Sequence, residues 1–332
     1  MRFVIFGAGA VGSVIGGRLT QHRQIHGHDV VVVARPAHCA AIRNRGLIIN
    51  DPVGTDVVEV DAVERVADLS LTGDDIVVIS TKTNDTSTAI TQLVALAPPD
   101  VHIVCAQNGV ENERLAARHF ANVYAMCVYL PALFLEPGVI DAAGAPHNAM
   151  LDVGRYPSGI DDVAETIASA CSTSGMPSIA RADVMAWKYL KLCTNLSNPL
   201  DALVGDRDAT RELVARAWAE ADACLAAAGI ERADEQQDRA RRAGVMEVRP
   251  VLHASHPVRG SSTWQSLTRG ADTTEVDWLN GEIVLLGRLH GVPTPVNTML
   301  CEAMRWAVRA KISPRSLSVD DLIARLDAES QP

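Results

Sequence analysis

No stretch of the 332-residue chain reaches the roughly 20 consecutive apolar residues that a membrane-spanning helix needs, so no membrane partner is expected. Positive charge is scarce: 30 Lys and Arg face 40 Asp and Glu, for a net charge of -10. A grip on phosphate backbones wants a basic surface, which argues against nucleic acid as a partner. Cys-x-x-Cys pairs are missing. The seven cysteines, Cys39, Cys105, Cys127, Cys171, Cys193, Cys224 and Cys301, are scattered and read as small buried hydrophobes in a reducing compartment. The opening residues MRFVIFGAGAVG carry one Arg and lack the long apolar stretch and cleavage site of a leader peptide, so a cytoplasmic location is expected. Internal repeats and low-complexity tracts are also lacking. Hydrophobic residues at 48% and charged residues at 21% match globular chains and exclude wholesale disorder.

At roughly 150 residues per domain, the length suggests about two domains. In the first half, short Val/Ile-rich runs alternate with helical patterns: Arg2–Phe6, Asp29–Ala34, Asp75–Ser80 and Val101–Ala106 read as strands, and Val11–Gln21 as a helix. Continuous rather than alternating apolar runs are what parallel strands covered on both faces look like, so the expected fold is α/β, an N-terminal doubly wound (Rossmann) sheet. Gly138–Gly154 suggests a closing pair of strands with a turn. From about Ala182 the composition turns helical, with candidates at Asp183–Ser197, Ala209–Ala228, Thr274–His290 and Thr298–Lys311. The boundary is expected near Ala180–Asp183, dividing the chain into 1–181 and an all-helical 182–332. The acidic tail after Leu326 is expected to fray.

Gly7-Ala8-Gly9-Ala10-Val11-Gly12 is a G-x-G-x-x-G that follows a strand and opens a helix, the context that gives this spacing meaning. The first glycine permits a tight turn, the second lets backbone N–H groups approach a pyrophosphate at the helix N-terminus, and the third lets the helix pack on the strand. A glycine-rich turn without a ligand is the bland alternative. The second strand ends in Arg35 where an NAD site usually carries Asp or Glu; a guanidinium there suits the 2′-phosphate of NADP(H), unless it is only a solvated surface arginine. Two further loops follow strands, Ser80-Thr81-Lys82-Thr83 and Gln107-Asn108-Gly109-Val110, so Lys82 and Asn108 are either cofactor or substrate contacts or ordinary loop residues.

In the helical half, Trp187-Lys188-Tyr189-Leu190-Lys191 runs on to Asn195 and Asn198. At about 100° per residue, Asn195 lies about 40° and Asn198 about 20° round one helix from Lys191. That face would present an amine and two amides to a polar ligand, whereas Lys188 fits a solvated outer face. Glu275 reads as a carboxylate favoured at the start of a helix.

Taken together, GAGAVG, Arg35, STK, QNGV, WKYLKLCTNLSNPL, SSTWQS, TEVDWLNG and HGVPTPVNT resemble, in this order and over nearly the whole chain, the ketopantoate reductases (2-dehydropantoate 2-reductases). The resemblance implies an NADPH-binding Rossmann domain, a helical second domain, a substrate cleft between them, and a small 2-oxo acid substrate. It implies that Gly7 to Gly12 and Arg35 bind the cofactor, that Lys82 and Asn108 sit at cofactor and substrate, and that Lys191 is the catalytic lysine. Asn195, Asn198 and Ser262 become substrate contacts, and Glu275 an acidic residue near substrate and cofactor. A homodimer is the assembly to test for; no metal is implied. Three departures stand out. The two asparagines are three residues apart rather than four, the stretch from Ser262 to Glu275 is one residue longer than the common form, and the linker His22–His28 is longer and richer in histidine. The linker reads as a surface loop. Two rival readings follow: a reductase of the same fold acting on another 2-oxo acid or an imine, and a redox-sensing module that binds NADP(H) and regulates a partner.

Overall fold

The computed structural model describes residues 1–256 and 260–329. They form two compact units, one of Met1–Lys188 with Asp234–Pro257, the other of Tyr189–Ala233 with Val258–Pro332.

Among the described residues, the first unit contains all the strands: β1 (Arg2–Phe6), β2 (Asp29–Val33), β3 (Leu47–Asn50), β4 (Thr55–Val58), β5 (Asp61–Val63), β6 (Asp75–Ile79), β7 (His102–Cys105), β8 (Asn122–Tyr129), β9 (Ala132–Glu136), β10 (Val139–Ala142), β11 (Gly144–Pro146), β12 (Met150–Arg155) and β13 (Met246–Val248). Seven make the main sheet in the order β12-β8-β7-β6-β1-β2-β5, parallel except for β12, which runs antiparallel to β8. In register, Phe3 lies beside Val30 and Ile76, and Val4 beside Val31 and Val77. Because side chains alternate across a strand, Phe3, Ile5, Val30, Val32, Ile76 and Val78 fill one core, and Val4, Val31, Val33, Val77, Ile79 and Ile103 fill the other. Both faces are covered, which is why the strands read as unbroken apolar runs.

Helices α1 (Ala10–Gln21), α2 (Arg23–His26), α3 (Pro36–Arg45), α4 (Thr86–Leu96), α5 (Asn112–Ala116) and α6 (Asp162–Thr173) complete this unit's first pass. The histidine-rich linker is short helix rather than loop: His22 and His26 bond through their rings to the carbonyls of Arg18 (3.0 Å) and Leu19 (2.8 Å), capping the end of α1. All seven cysteines are buried thiols.

A second sheet, β4-β3-β10-β9, has no counterpart in the sequence reading. The expected closing strand pair at Gly138–Gly154 is instead three strands in three sheets: β10 joins β3, β11 pairs with β13, and β12 edges the main sheet. These strands are short, and β11 finds its partner about a hundred residues away, beyond what local pattern can show. Its partner belongs to a segment of the helical half that returns to the first unit through α10 (Glu235–Arg242) and β13. Buried Asp152 helps explain the return, because its carboxylate takes Arg181 (2.7 Å) and Arg241 (2.8 Å) together. Asp141, also buried, takes the backbone N–H and hydroxyl of Ser255 (2.8 and 2.9 Å).

The second unit is helical throughout its described residues, with α8 (Asn198–Leu203), α9 (Arg211–Ala227), α11 (Ser262–Thr268), α12 (Asn280–His290), α13 (Pro295–Arg309) and α14 (Val319–Glu329). The boundary between the units falls inside α7 (Val184–Asn195), after Lys188. The helix expected over Thr274–His290 is broken: Val276–Trp278 is a 3-10 turn, and α12 starts at Asn280. Fully buried Asn280 explains the restart, since its amide donates to Leu196 O (3.1 Å) and Asn297 Oδ1 (3.0 Å). Where fraying is expected after Leu326, α14 continues to Glu329; residues 330–332 lie outside the described residues.

Candidate active site

The chain leaves β1 at Phe6 and turns through Gly7, whose φ of 108 suits glycine. A Cβ on Gly7 would come within 2.7 Å of Thr81 N, and one on Gly12 would collide with Ser80 Oγ and Gly7 O. Packing within the protein therefore requires the first and third glycines. Gly9 is different, because a Cβ there would meet nothing nearer than Gly7 O at 4.0 Å. It is the N-cap of α1 with no side chain to cap it, and the first turn has no acidic residue. The N–H groups of Ala10, Val11 and Gly12 lie at the N-terminus of α1, an end that favours a diphosphate, while those of Gly7 and Ala8 are taken by Val33 O (3.2 and 3.0 Å). The residues present fit a dinucleotide.

Behind this turn the frame is polar and locked. Gly138 N–H donates to His38 Nδ1 (2.8 Å), so the neutral imidazole carries its proton on Nε2 and donates to Ser13 Oγ (3.0 Å). Burial pushes the His38 pKa down from 6.5 to about 4.

Arg35 N-caps α3 just before Pro36 and is 90% exposed; its guanidinium stands 3.6 Å from Asp85. A surface pair of this kind is worth about 0–1 kcal/mol, so the guanidinium stays available to an incoming anion. Half-buried Lys82 precedes the 3-10 turn Thr83–Asp85. Half-buried Asn108 follows β7, and its carbonyl accepts from Asn112 Nδ2 (3.1 Å) and Thr83 Oγ1 (3.5 Å). The two strand-end loops are thus sewn to each other.

Beneath them lies a pair that the sequence reading missed. Lys188, expected on a solvated face, is 3% exposed, and its ammonium bonds the fully buried Glu113 carboxylate and Gln107 O (3.0 Å). The neighbouring Trp187 is also buried, donating to Asp183 (3.1 Å) under the Arg181 guanidinium (3.8 Å). This end of α7 is packed all round, so a helical wheel could not tell which lysine faces water. Burial pushes the Glu113 carboxyl up, and the ammonium beside it pulls the other way. Removing one partner of such a pair costs about 3–5 kcal/mol, whereas replacing both with apolar groups is often neutral.

Further along α7, Leu190, Leu192 and Cys193 are buried, as is Leu196 just beyond its end. Lys191 is half-buried, and Asn195, one turn later, is 6% exposed with its Nδ2 buried and lacking a hydrogen-bond partner among the described residues. An orphaned amide costs about 1–3 kcal/mol, which a ligand oxygen would offset. Asn198, expected on the same helical face, is not part of this helix: α7 ends at Asn195, and Asn198 opens α8. Pro199 explains the break, since within a continuous helix its ring would clash with the carbonyl of Asn195. The fold brings Asn198 elsewhere, to the head of α11. Ser261 Oγ donates to Asn198 O (3.3 Å), Ser261 N–H donates to Asp201 (2.6 Å), and half-buried Ser262 comes next. Glu275, expected to begin a long helix, caps the 3-10 turn instead and is buried; Asn280, a few residues on, ties that region to Leu196 at the end of α7.

Comparison with known proteins bears on this arrangement. The family model described as ketopantoate reductase PanE/ApbA matches residues 3–157, and its C-terminal counterpart matches 183–307. The 2-dehydropantoate 2-reductase of Pyrococcus horikoshii is 27% identical over 323 residues, covering 94% of this chain and 98% of the relative. A PanE/ApbA family ketopantoate reductase from Ralstonia eutropha superposes with a TM-score of 0.75 at 26% identity, over 94% of this chain and 99% of that one. D-mandelate dehydrogenase, solved with NADH and anilino(oxo)acetate, shares the fold with a TM-score of 0.76 at 22% identity, over 94% of this chain and 99% of that one.

Proposed function

Because the chain belongs to the ketopantoate reductase family, we propose that it is an NADPH-dependent oxidoreductase that reduces 2-dehydropantoate (ketopantoate) to pantoate. The observation that carries the reading is the buried, partnerless amide of Asn195 one helical turn beyond Lys191, an arrangement with little purpose unless a polar ligand arrives.

A dinucleotide, when bound, would supply the hydride for the ketone carbon. Everything else falls to the chain. The glycine turn and the N-terminus of α1 hold the diphosphate, Arg35 and Lys82 meet the cofactor's other charges, and Arg35 selects the 2′-phosphate. Lys191 gives its proton to the oxygen as negative charge develops there, acting as cation and general acid in one. Asn195 donates from Nδ2 to a substrate oxygen. Asn108, Asn198 and Ser262 orient the remaining oxygens, and Glu275 supplies a buried acceptor beside cofactor and substrate. A module that only sensed NADP(H) would have no need of these groups, and neither rival reading is favoured by the comparisons.

The test is NADPH oxidation by purified protein, with ketopantoate beside a panel of other 2-oxo acids. Ketopantoate-dependent oxidation faster than with any other acid is expected. Oxidation with none of them would overturn the reading.

A further inference from the structure

The Lys188–Glu113 pair has no part in the roles above, yet its bonds reach beyond the pair itself. Its ammonium does not stop at the carboxylate but also holds Gln107 O, the main-chain group immediately before Asn108. From there the bonds continue: Gln107 Nε2 donates to Thr86 Oγ1 (2.7 Å), Thr86 Oγ1 donates to Asn112 Oδ1 (2.8 Å), and Asn112 Nδ2 donates back to Asn108 O (3.1 Å). The carbonyls of two successive residues, Gln107 and Asn108, are thereby clamped from separate sides. Glu113 belongs to the short helix that opens at Asn112, so the loop is fastened at its start by Lys188 and at its end by the carboxylate that holds Lys188.

A pair kept only for packing has no need of this geometry, since apolar side chains of the same volume fill such a site as well or better. We propose that Lys188 and Glu113 are positioning residues that fix the Gln107–Asn108 backbone, and through it aim the Asn108 side chain at the reacting end of the bound molecules. Small displacements of such a group are expensive in rate. The inference rests on the role given to Asn108 under the proposed reduction.

The test is a mutant cycle on the full-length protein, reading melting temperature, NADPH binding by fluorescence titration, and turnover with ketopantoate. Lys188→Met alone leaves a buried carboxylate uncompensated and should melt early. Lys188→Met with Glu113→Leu should regain the parent's melting temperature and bind NADPH within about threefold of it, yet turn over about tenfold or more slowly. Repeated in an Asn108→Ala background, the same double replacement should cost less than about twofold further, because the group it positions is gone. Turnover at the parent's rate in the double variant, or an equal loss with and without Asn108, would make the pair structural and overturn the proposal. If the apolar pair does not fold, Lys188→Arg takes its place in the same cycle, because it keeps the charge beside Glu113 but shifts the donors to Gln107 O. Failure of the proposed function looks different: the parent itself would then bind NADPH and show no turnover with ketopantoate.

Discussion

At the glycine turn, six consecutive residues supply both the scaffold and the proposed binding surface, with Gly7 and Gly12 required by contacts within the protein and Gly9 by none. At the end of α7, the candidate groups come from Lys191 and Asn195 on one helix, Asn198 on the next, Ser262 at the head of α11 and Glu275 before α12. Under the proposed function the first region would recognise something invariant, a diphosphate, for which a contiguous backbone motif suffices. The second, on the same proposal, would have to match a particular small molecule, and side chains gathered from distant segments would allow that match to be tuned.

The largest expected effect sits in the gathered region. Lys191→Ala should lower turnover by about 10² or more, on the scale of lost general acid catalysis, while NADPH binding survives. A variant that keeps near-full rate would move the proton donor elsewhere. The frame behind the contiguous region should instead fail by unfolding in acid. His38 is held neutral with a pKa near 4 against 6.5 when unfolded, so the unfolded chain binds the extra proton first. The contribution is complete above 6.5 and is lost as pH falls from there towards 4. The loss amounts to about 2 kcal/mol by about pH 5, read as denaturant midpoints across this range. His38→Gln should flatten that part of the profile, and an unchanged slope would show that another group is responsible.

Gly12→Ala and Gly9→Ala separate scaffold from surface within the one motif. The first should destabilise the fold by about 1–3 kcal/mol through overpacking, whereas the second should leave the melting temperature alone and weaken NADPH binding. Equal melting losses would erase the distinction. Arg35→Ala should raise the KM for NADPH about tenfold and leave NADH little changed, the loss expected for one charge-assisted contact. If the parent uses both cofactors equally well, Arg35 does not select between them.

The same contrast explains what the sequence disclosed. The main sheet was legible because burial on both faces leaves a local mark, and the glycine turn because its requirements lie within six residues. The second sheet was not, since strands as short as Leu47–Asn50 carry little pattern. Lys188 was misplaced because its partner Glu113 lies 75 residues away, and two charges that cancel in a core look like two surface charges in a sequence. The break between Asn195 and Asn198 did have a signal, Pro199, which a wheel drawn straight through it ignored.

Substrate choice is where the gathered region is most exposed to contradiction. Ketopantoate carries a hydroxymethyl group that 2-oxoisovalerate lacks, and buried polar groups built for a hydroxyl are left unpaired by the analogue. The ratio of kcat/KM for the two acids should favour ketopantoate by at least about 10²-fold, and Asn198→Ala should erode that ratio more than it slows 2-oxoisovalerate. Comparable efficiencies for the two acids in the parent would contradict the assignment of Asn198, Ser262 and Glu275 to this substrate.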